Sequence, residues 1–139
     1  MGQRGTYWIH GHHAGQYPDG LRFPLIIQDP KETVKYDSEL VLSLSDWYHE
    51  YYNILYSRDF SNPGMNPMGF EPLPTTPLLN DVVDPILPIS TNKTIRLRFV
   101  SMATFASFQV WIDNHNMTII EVDGVETKPY STNVLTLGK

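Results

Sequence analysis

Seven of the eleven prolines in this 139-residue chain fall between Pro63 and Pro88. Proline fixes φ and has no N–H to donate, so neither a helix nor a central strand can run through that span. Ordered structure must be built on either side of it, with the proline-rich stretch as an irregular excursion. The flanking segments read as strands. Ile95, Leu97 and Phe99 alternate with Arg96 and Arg98, which predicts a strand whose apolar side is buried and whose arginine side is not. Phe108, Val110 and Ile112 repeat the pattern, and Leu40, Leu42 and Leu44 alternate with Val41, Ser43 and Ser45. Met117 to Val122 and Val134 to Leu137 are shorter β-rich runs, and Asp123-Gly124 between Val122 and Val125 is a hairpin-turn signal. The only helix expected is a short one around Tyr48–Tyr56. The predicted class is an all-β sandwich carrying one long excursion.

A second boundary lies at Asp29-Pro30-Lys31-Glu32-Thr33. The unit before it, Thr6–Ile27, is too small to bury a core of its own. It reads as the tail of one domain, residues 1–33, with a second domain over 34–139.

Composition then narrows the function. A net charge of −5 without a basic block argues against a nucleic-acid partner. The absence of cysteine removes disulfides, zinc-thiolate sites, a cysteine nucleophile and any copper-thiolate centre. No stretch is long and apolar enough to span a bilayer, and Met1-Gly2-Gln3-Arg4-Gly5 has no apolar h-region. Two sequons, Asn92-Lys93-Thr94 and Asn116-Met117-Thr118, matter only in a secreted protein.

The chemistry concentrates at His10-Gly11-His12. On a strand, residues i and i+2 project to the same side, so the two imidazoles face one way. Neutral imidazole suits copper or zinc, and Gly11 allows a close approach of backbone or metal. Two histidines are not a complete site, so further ligands come from elsewhere; an incidental pair is the alternative on spacing alone. His13 points away from His12, and His49 and His115 read as isolated, hydrogen-bonded histidines. Trp8, Trp47 and Trp111 read as core or interdomain packing. Met65, Met68, Met102 and Met117 read as core or gap filling.

The surroundings of the histidine pair carry more. Gly5-Thr6-Tyr7-Trp8-Ile9-His10-Gly11-His12, followed by Gln16-Tyr17-Pro18-Asp19-Gly20-Leu21 and Leu25-Ile26-Ile27-Gln28-Asp29-Pro30, resembles the second histidine motif of multicopper oxidases. Leu42 to His49, Asn66 to Pro74 and Trp111 to Gly124 continue the resemblance in order, and they are similar to the fungal iron-transport ferroxidases. The resemblance implies a cupredoxin-like Greek-key β-sandwich, incomplete here: the end of a first cupredoxin domain and a second lacking its last strands. It also implies copper as cofactor. His10 and His12 would each bind one of the two type 3 coppers of a trinuclear cluster. Glu71, in its Gly-x-Glu-Pro-x-Pro setting, would help bind ferrous iron near the type 1 copper, a site whose cysteine this chain lacks.

The activity implied is oxidation of Fe(II) to Fe(III) with reduction of dioxygen to water, serving iron uptake. An iron permease would be a partner, at the plasma membrane or vacuole after the secretory pathway. With two of the cluster's eight histidines, the chain is expected to be inactive alone. The alternatives are a piece of a laccase-like phenol oxidase and a non-catalytic copper-binding remnant. Departures are Phe23-Pro24, where the family often has a glycine, and Gly11, where a serine is common in the iron-oxidising branch.

Overall fold

A computed structural model describes residues 3–139; Met1 and Gly2, the first residues of the N-terminal segment considered above, lie outside the described residues. The described residues are mostly β, with nine strands and one short helical stretch among them, and the sheets are left open rather than closed into a barrel. Strands β1 (Gly5–His10) and β2 (Arg22–Ile27) form an antiparallel pair of their own. Strand β3 (Ser38–Trp47) is the centre of a three-stranded sheet, antiparallel to β4 (Thr76–Leu79) and parallel to β5 (Ile95–Ser101). Strand β6 (Phe108–Trp111) pairs with β9 (Val134–Leu137), and β7 (Met117–Val122) forms a hairpin with β8 (Val125–Thr132).

The hairpin turn is Asp123-Gly124, both with left-handed φ (50° and 74°), as a two-residue turn of this hand requires. Gly124 has a second constraint. A Cβ there would meet the Tyr7 hydroxyl at 2.0 Å, and one on Gly5 would meet the Gly124 Cα at 2.6 Å. The start of β1 and the tip of the β7–β8 hairpin therefore touch backbone to backbone, and no side chain fits between them.

The proline-rich excursion is where the sequence places it, as the long crossover between the parallel strands β3 and β5. The helix is shorter and later than Tyr48–Tyr56. An α-helical turn, α1, covers Tyr52–Leu55 and passes into a π-helical turn at Tyr56–Phe60. Tyr48 is instead buried at the end of the sheet, with 6% exposure. Burial of that ring, not helix propensity, decides the local conformation.

The largest correction concerns β5. The expected apolar face, Ile95, Leu97 and Phe99, is only half-buried, while Arg96 (9%) and Arg98 (4%) are buried. The alternation is real, but both faces are covered: the β1–β2 unit packs over the arginine side. Arg98 donates from Nε to Glu39 Oε2 at 2.9 Å and from Nη1 to Thr6 Oγ1 at 3.0 Å. Arg96 pairs with Glu32 and, at 2.9 Å, with Glu121. β3 is likewise covered on both sides, since Ser43 and Ser45 are as buried as Leu42 and Leu44. Met65 and Met68 lie at the surface, against expectation, whereas Met102 and Met117 are buried as expected; Trp111 is 61% exposed and so is not part of this chain's core.

Asp46 closes the end of β3. Its buried carboxylate accepts three backbone N–H bonds, from Thr104, Phe105 and Ala106, each 2.8 Å long. These fix the loop that leads from β5 into β6.

Two outcomes follow for stability. Arg98→Ala leaves Glu39 without its cation beneath the β1–β2 unit, and the expected loss is about 3 kcal/mol in chemical denaturation. Replacing both partners, Arg98→Met with Glu39→Gln, recovers most of it; a double variant as unstable as the single one contradicts this account. The second outcome concerns pH. Partial burial works to raise the Glu39 pKa, but hydrogen bonds from Gln28 and Arg98 and the charges of Arg98 and Arg96 outweigh it, and the net shift is downward from 4.5. A carboxylate with a depressed folded-state pKa stabilises fully above its unfolded value and loses that contribution as pH falls through the folded one. Glu39→Gln should therefore melt lower than wild type at pH 7, and the gap should close below pH 4.5.

Candidate metal centre

The β1–β2 register sets the site. Trp8 lies opposite Pro24, Ile9 opposite Phe23 and His10 opposite Arg22, so Phe23-Pro24 is accommodated without breaking the ladder. β1 ends at His10, but the Gly11 N–H still donates to the Leu21 carbonyl at 2.9 Å, and His12 lies just past the end of the strand. The imidazoles of His10 and His12 remain neighbours, with ring centroids 5.9 Å apart and planes tilted by 35°. Gly11 is crowded by its own hairpin: a Cβ would meet Gln16 Cβ at 2.7 Å and Leu21 Cδ2 at 2.8 Å. The close approach expected at Gly11 is thus made by Gln16 and Leu21.

His10 is held from two sides. Its ring stacks on Trp8 at 4.4 Å and meets the edge of Tyr17 at 5.1 Å. Its Nδ1 lies 3.0 Å from the Gly11 carbonyl oxygen. A ring nitrogen facing a carbonyl carries the proton, which leaves Nε2 as the lone-pair nitrogen. That is the arrangement of a metal-ligating histidine. His12 is exposed beside it, and imidazole nitrogen is a suitable copper donor, so the two residues fit copper. Among the described residues no cluster of three or more His, Cys, Asp or Glu side chains is assembled, so the pair is a partial ligand set.

A supporting residue is missed by the sequence reading. Arg22, opposite His10, is 6% exposed; its Nη1 donates to the Tyr17 carbonyl at 2.9 Å, and its Nη2 pairs with Asp81 at 3.4 Å. It also lies over the Trp47 ring, 6.0 Å from the centroid. Arg22 thereby ties the turn under His10 to the second unit. An arginine on a short strand gives no sequence signal for this, because both partners come from loops.

Glu71 is exposed on the excursion, with its carboxylate 3.7 Å from Lys139 Nζ. The following residue is anchored: the buried Tyr48 hydroxyl donates to the Pro72 carbonyl at 3.0 Å. Burial first, then the negative charge of Asp46 and more distant acids, pushes the Tyr48 pKa up, so the phenol stays a donor. Tyr52, stacked edge-on against Tyr48, has its pKa raised by burial and then by Glu71 and Tyr17. The Tyr52 N–H also donates to Asp19 Oδ1 at 2.8 Å, which ties it to the turn that carries Tyr17. The remaining histidines behave as expected: His49 Nε2 contacts Thr76 Oγ1 at 2.9 Å, His115 Nδ1 contacts the Asp113 carbonyl at 2.8 Å, and His13 is exposed.

A family model described as multicopper oxidase matches residues 38–139. The chain belongs to the multicopper oxidase family. It is 45% identical over 135 residues to the iron transport multicopper oxidase fio1 of Schizosaccharomyces pombe, covering 97% of this chain and 22% of that protein. It is 39% identical over 131 residues to the iron transport multicopper oxidase FET3 of Saccharomyces cerevisiae, covering 94% of this chain and 20% of that protein. Among solved structures it matches Fet3p, described as a multicopper oxidase that functions in iron import, with a TM-score of 0.93 at 38% identity, over 98% of this chain and 25% of that one. Two structures of the laccase from Botrytis aclada match with TM-scores of 0.80 and 0.75, both at 32% identity, over 98% of this chain and 27% of theirs. The chain thus spans about a fifth to a quarter of the multicopper oxidases it matches, and its fold is the cupredoxin-like one expected.

Tyr48→Phe removes the hydroxyl that anchors the Glu71 loop. The expected cost is about 1 kcal/mol of stability together with faster proteolysis within residues 60–75; an unchanged cleavage rate there would show that the loop is held by other contacts.

Proposed function

We propose that this chain is the part of an iron-oxidising multicopper oxidase that supplies two type 3 copper ligands, His10 and His12, and a ferrous-iron carboxylate, Glu71. The paired imidazoles carry the proposal: the His10 tautomer is set by Gly11, and its Nε2 is free beside a second ring 5.9 Å away. Copper held there, completed by histidines from other parts of the protein, supplies the capacity to accept electrons and pass them to dioxygen. The residues of this chain position that group. Trp8 and Tyr17 fix the His10 ring, Arg22 fixes the turn beneath it, and Glu71 offers a hard oxygen donor suited to iron. A carboxylate favours the more highly charged ferric ion, which eases loss of the electron.

Iron is favoured over a phenol as substrate by the relatives named for iron transport and by the higher TM-score to Fet3p than to the laccase. Residues 1–33 are the end of a first cupredoxin domain and 34–139 most of a second. In support, among the described residues β1 and β2 pair with each other and with no other strand, and the family match begins at residue 38. On this reading ferrous iron and dioxygen are the substrates, an iron permease is the partner, and the protein faces outward at the plasma membrane or vacuole.

The test uses the complete copper-loaded protein. His10→Ala and His12→Ala should each lower bound copper and abolish dioxygen reduction; full copper retention in both would remove them from the ligand set. Glu71→Ala should reduce iron oxidation roughly tenfold, about 1.4 kcal/mol, with phenol oxidation nearly unchanged. Equal losses on both substrates would sink the iron assignment while leaving the copper assignment standing.

A further inference from the structure

Among the described residues three arginines are buried, Arg22, Arg96 and Arg98, and they are not equally compensated. Arg96 meets two carboxylates, and Arg98 meets a carboxylate and a hydroxyl. Arg22 has one carboxylate contact, a long one of 3.4 Å to the exposed Asp81. Its other partners are the Tyr17 carbonyl at 2.9 Å and the face of the Trp47 ring. Its Nε–H meets no acceptor among the described residues. This chain itself covers that atom, so no other part of the protein reaches it. Burying a cation with so few partners costs stability, and natural chains carry such costs chiefly at functional sites.

Arg22 holds the turn over residues 15–21. The Tyr17 carbonyl accepts from Arg22 Nη1 at 2.9 Å and from the Gly20 N–H at 3.0 Å. The ring of the same residue packs edge-on against His10 and Trp8, with centroids 5.1 and 5.8 Å away. Fixing the carbonyl therefore limits where the ring can stand against His10. The second unit fixes the other end of the guanidinium. Asp81 lies in the turn after β4, and Asn80 Oδ1 ties that turn to β3 by accepting the Ser43 N–H at 2.8 Å. Trp47, the last residue of β3, lies under Arg22, and a Cβ on Gly20 would touch its ring at 3.6 Å.

We propose that Arg22 is a positioning residue for the copper ligand His10, acting through Tyr17 and anchored by Asp81, although its buried charge lowers stability. The proposal rests on the copper reading of His10.

The test uses the complete protein, copper-loaded for release to a chelator and copper-free for melting. Arg22→Met removes the charge and keeps most of the volume. It should release copper about tenfold faster, as expected when a residue that orients a metal-ligating histidine is lost. The same variant should melt no lower than wild type when copper-free, because no buried cation remains. Tyr17→Ala should also speed release, and combining it with Arg22→Met should add little, since both act through one contact. Asp81→Gly removes the anchor at a position whose left-handed φ of 59° suits glycine, and it too should speed release. Unchanged release in Arg22→Met or in Asp81→Gly overturns the proposal. So do additive effects of Arg22→Met and Tyr17→Ala, or a fall in copper-free melting temperature alongside the faster release. His10→Ala separates the two readings. If it keeps full copper, the ligand assignment falls and the positioning role with it. If it loses copper while Arg22→Met releases as wild type does, only the positioning role falls.

Discussion

The buried guanidinium groups of Arg96 and Arg98 are the interaction on which the rest of the structure depends. A cation removed from water must be met by anions and hydrogen-bond acceptors, or its burial costs several kcal/mol. The acceptors here come from four places: Thr6 on β1, Glu32 in the connection, Glu39 on β3 and Glu121 on β7. None is a sequence neighbour of the arginines. The β1–β2 unit must therefore dock on the sheet in one position, with Gly5 and Gly124 in backbone contact beside it. The fully buried apolar set is small, Leu42, Leu44, Val100, Met102 and Ala103 at its heart, and apolar contact alone would leave the docking loosely specified.

The same docking places the histidine pair. His10 and Arg22 face each other across the hairpin, and Arg22 reaches back to Tyr17 and out to Asp81. The ring of His10 is thus steadied by its own hairpin, while the hairpin is steadied by the second unit. The turn that carries Tyr17 is tied to Tyr52, whose N–H donates to Asp19 Oδ1, and Tyr52 packs on Tyr48, whose hydroxyl reaches the loop that carries Glu71. The far side of β1–β2 is different. Ile9, Phe23 and Leu25 are 37–51% exposed, an apolar patch of a kind that folded proteins cover with another element.

Much of this was legible in the residues, and the misses have specific causes. Period-two alternation located β3, β5 and β6, β-rich composition located β7 and β9, and Asp123-Gly124 located a hairpin, because these are local properties of the chain. The same alternation misjudged β5, since it reports which side is apolar and cannot report what packs on the polar side. Tyr48–Tyr56 read as helix because nothing local forbids one; the buried Tyr48 ring takes its end for the sheet. Trp111 read as core or interdomain packing because large aromatics usually are buried against something, and the residue type cannot say which. Arg22 and Asp46 left no trace, since their partners are backbone groups and loop residues distant in sequence.

What the sequence alone determined is the all-β class, the long proline-rich excursion and the pairing of His10 with His12, each set by residue type and spacing along one segment. The resemblance it carries to multicopper oxidases was equally a matter of linear order. Tertiary structure decided that the arginine side of β5 is buried and which loops Arg22 ties together beneath His10. Those depend on groups brought together from separate strands and loops, and a buried charge is defined only by the partners that face it.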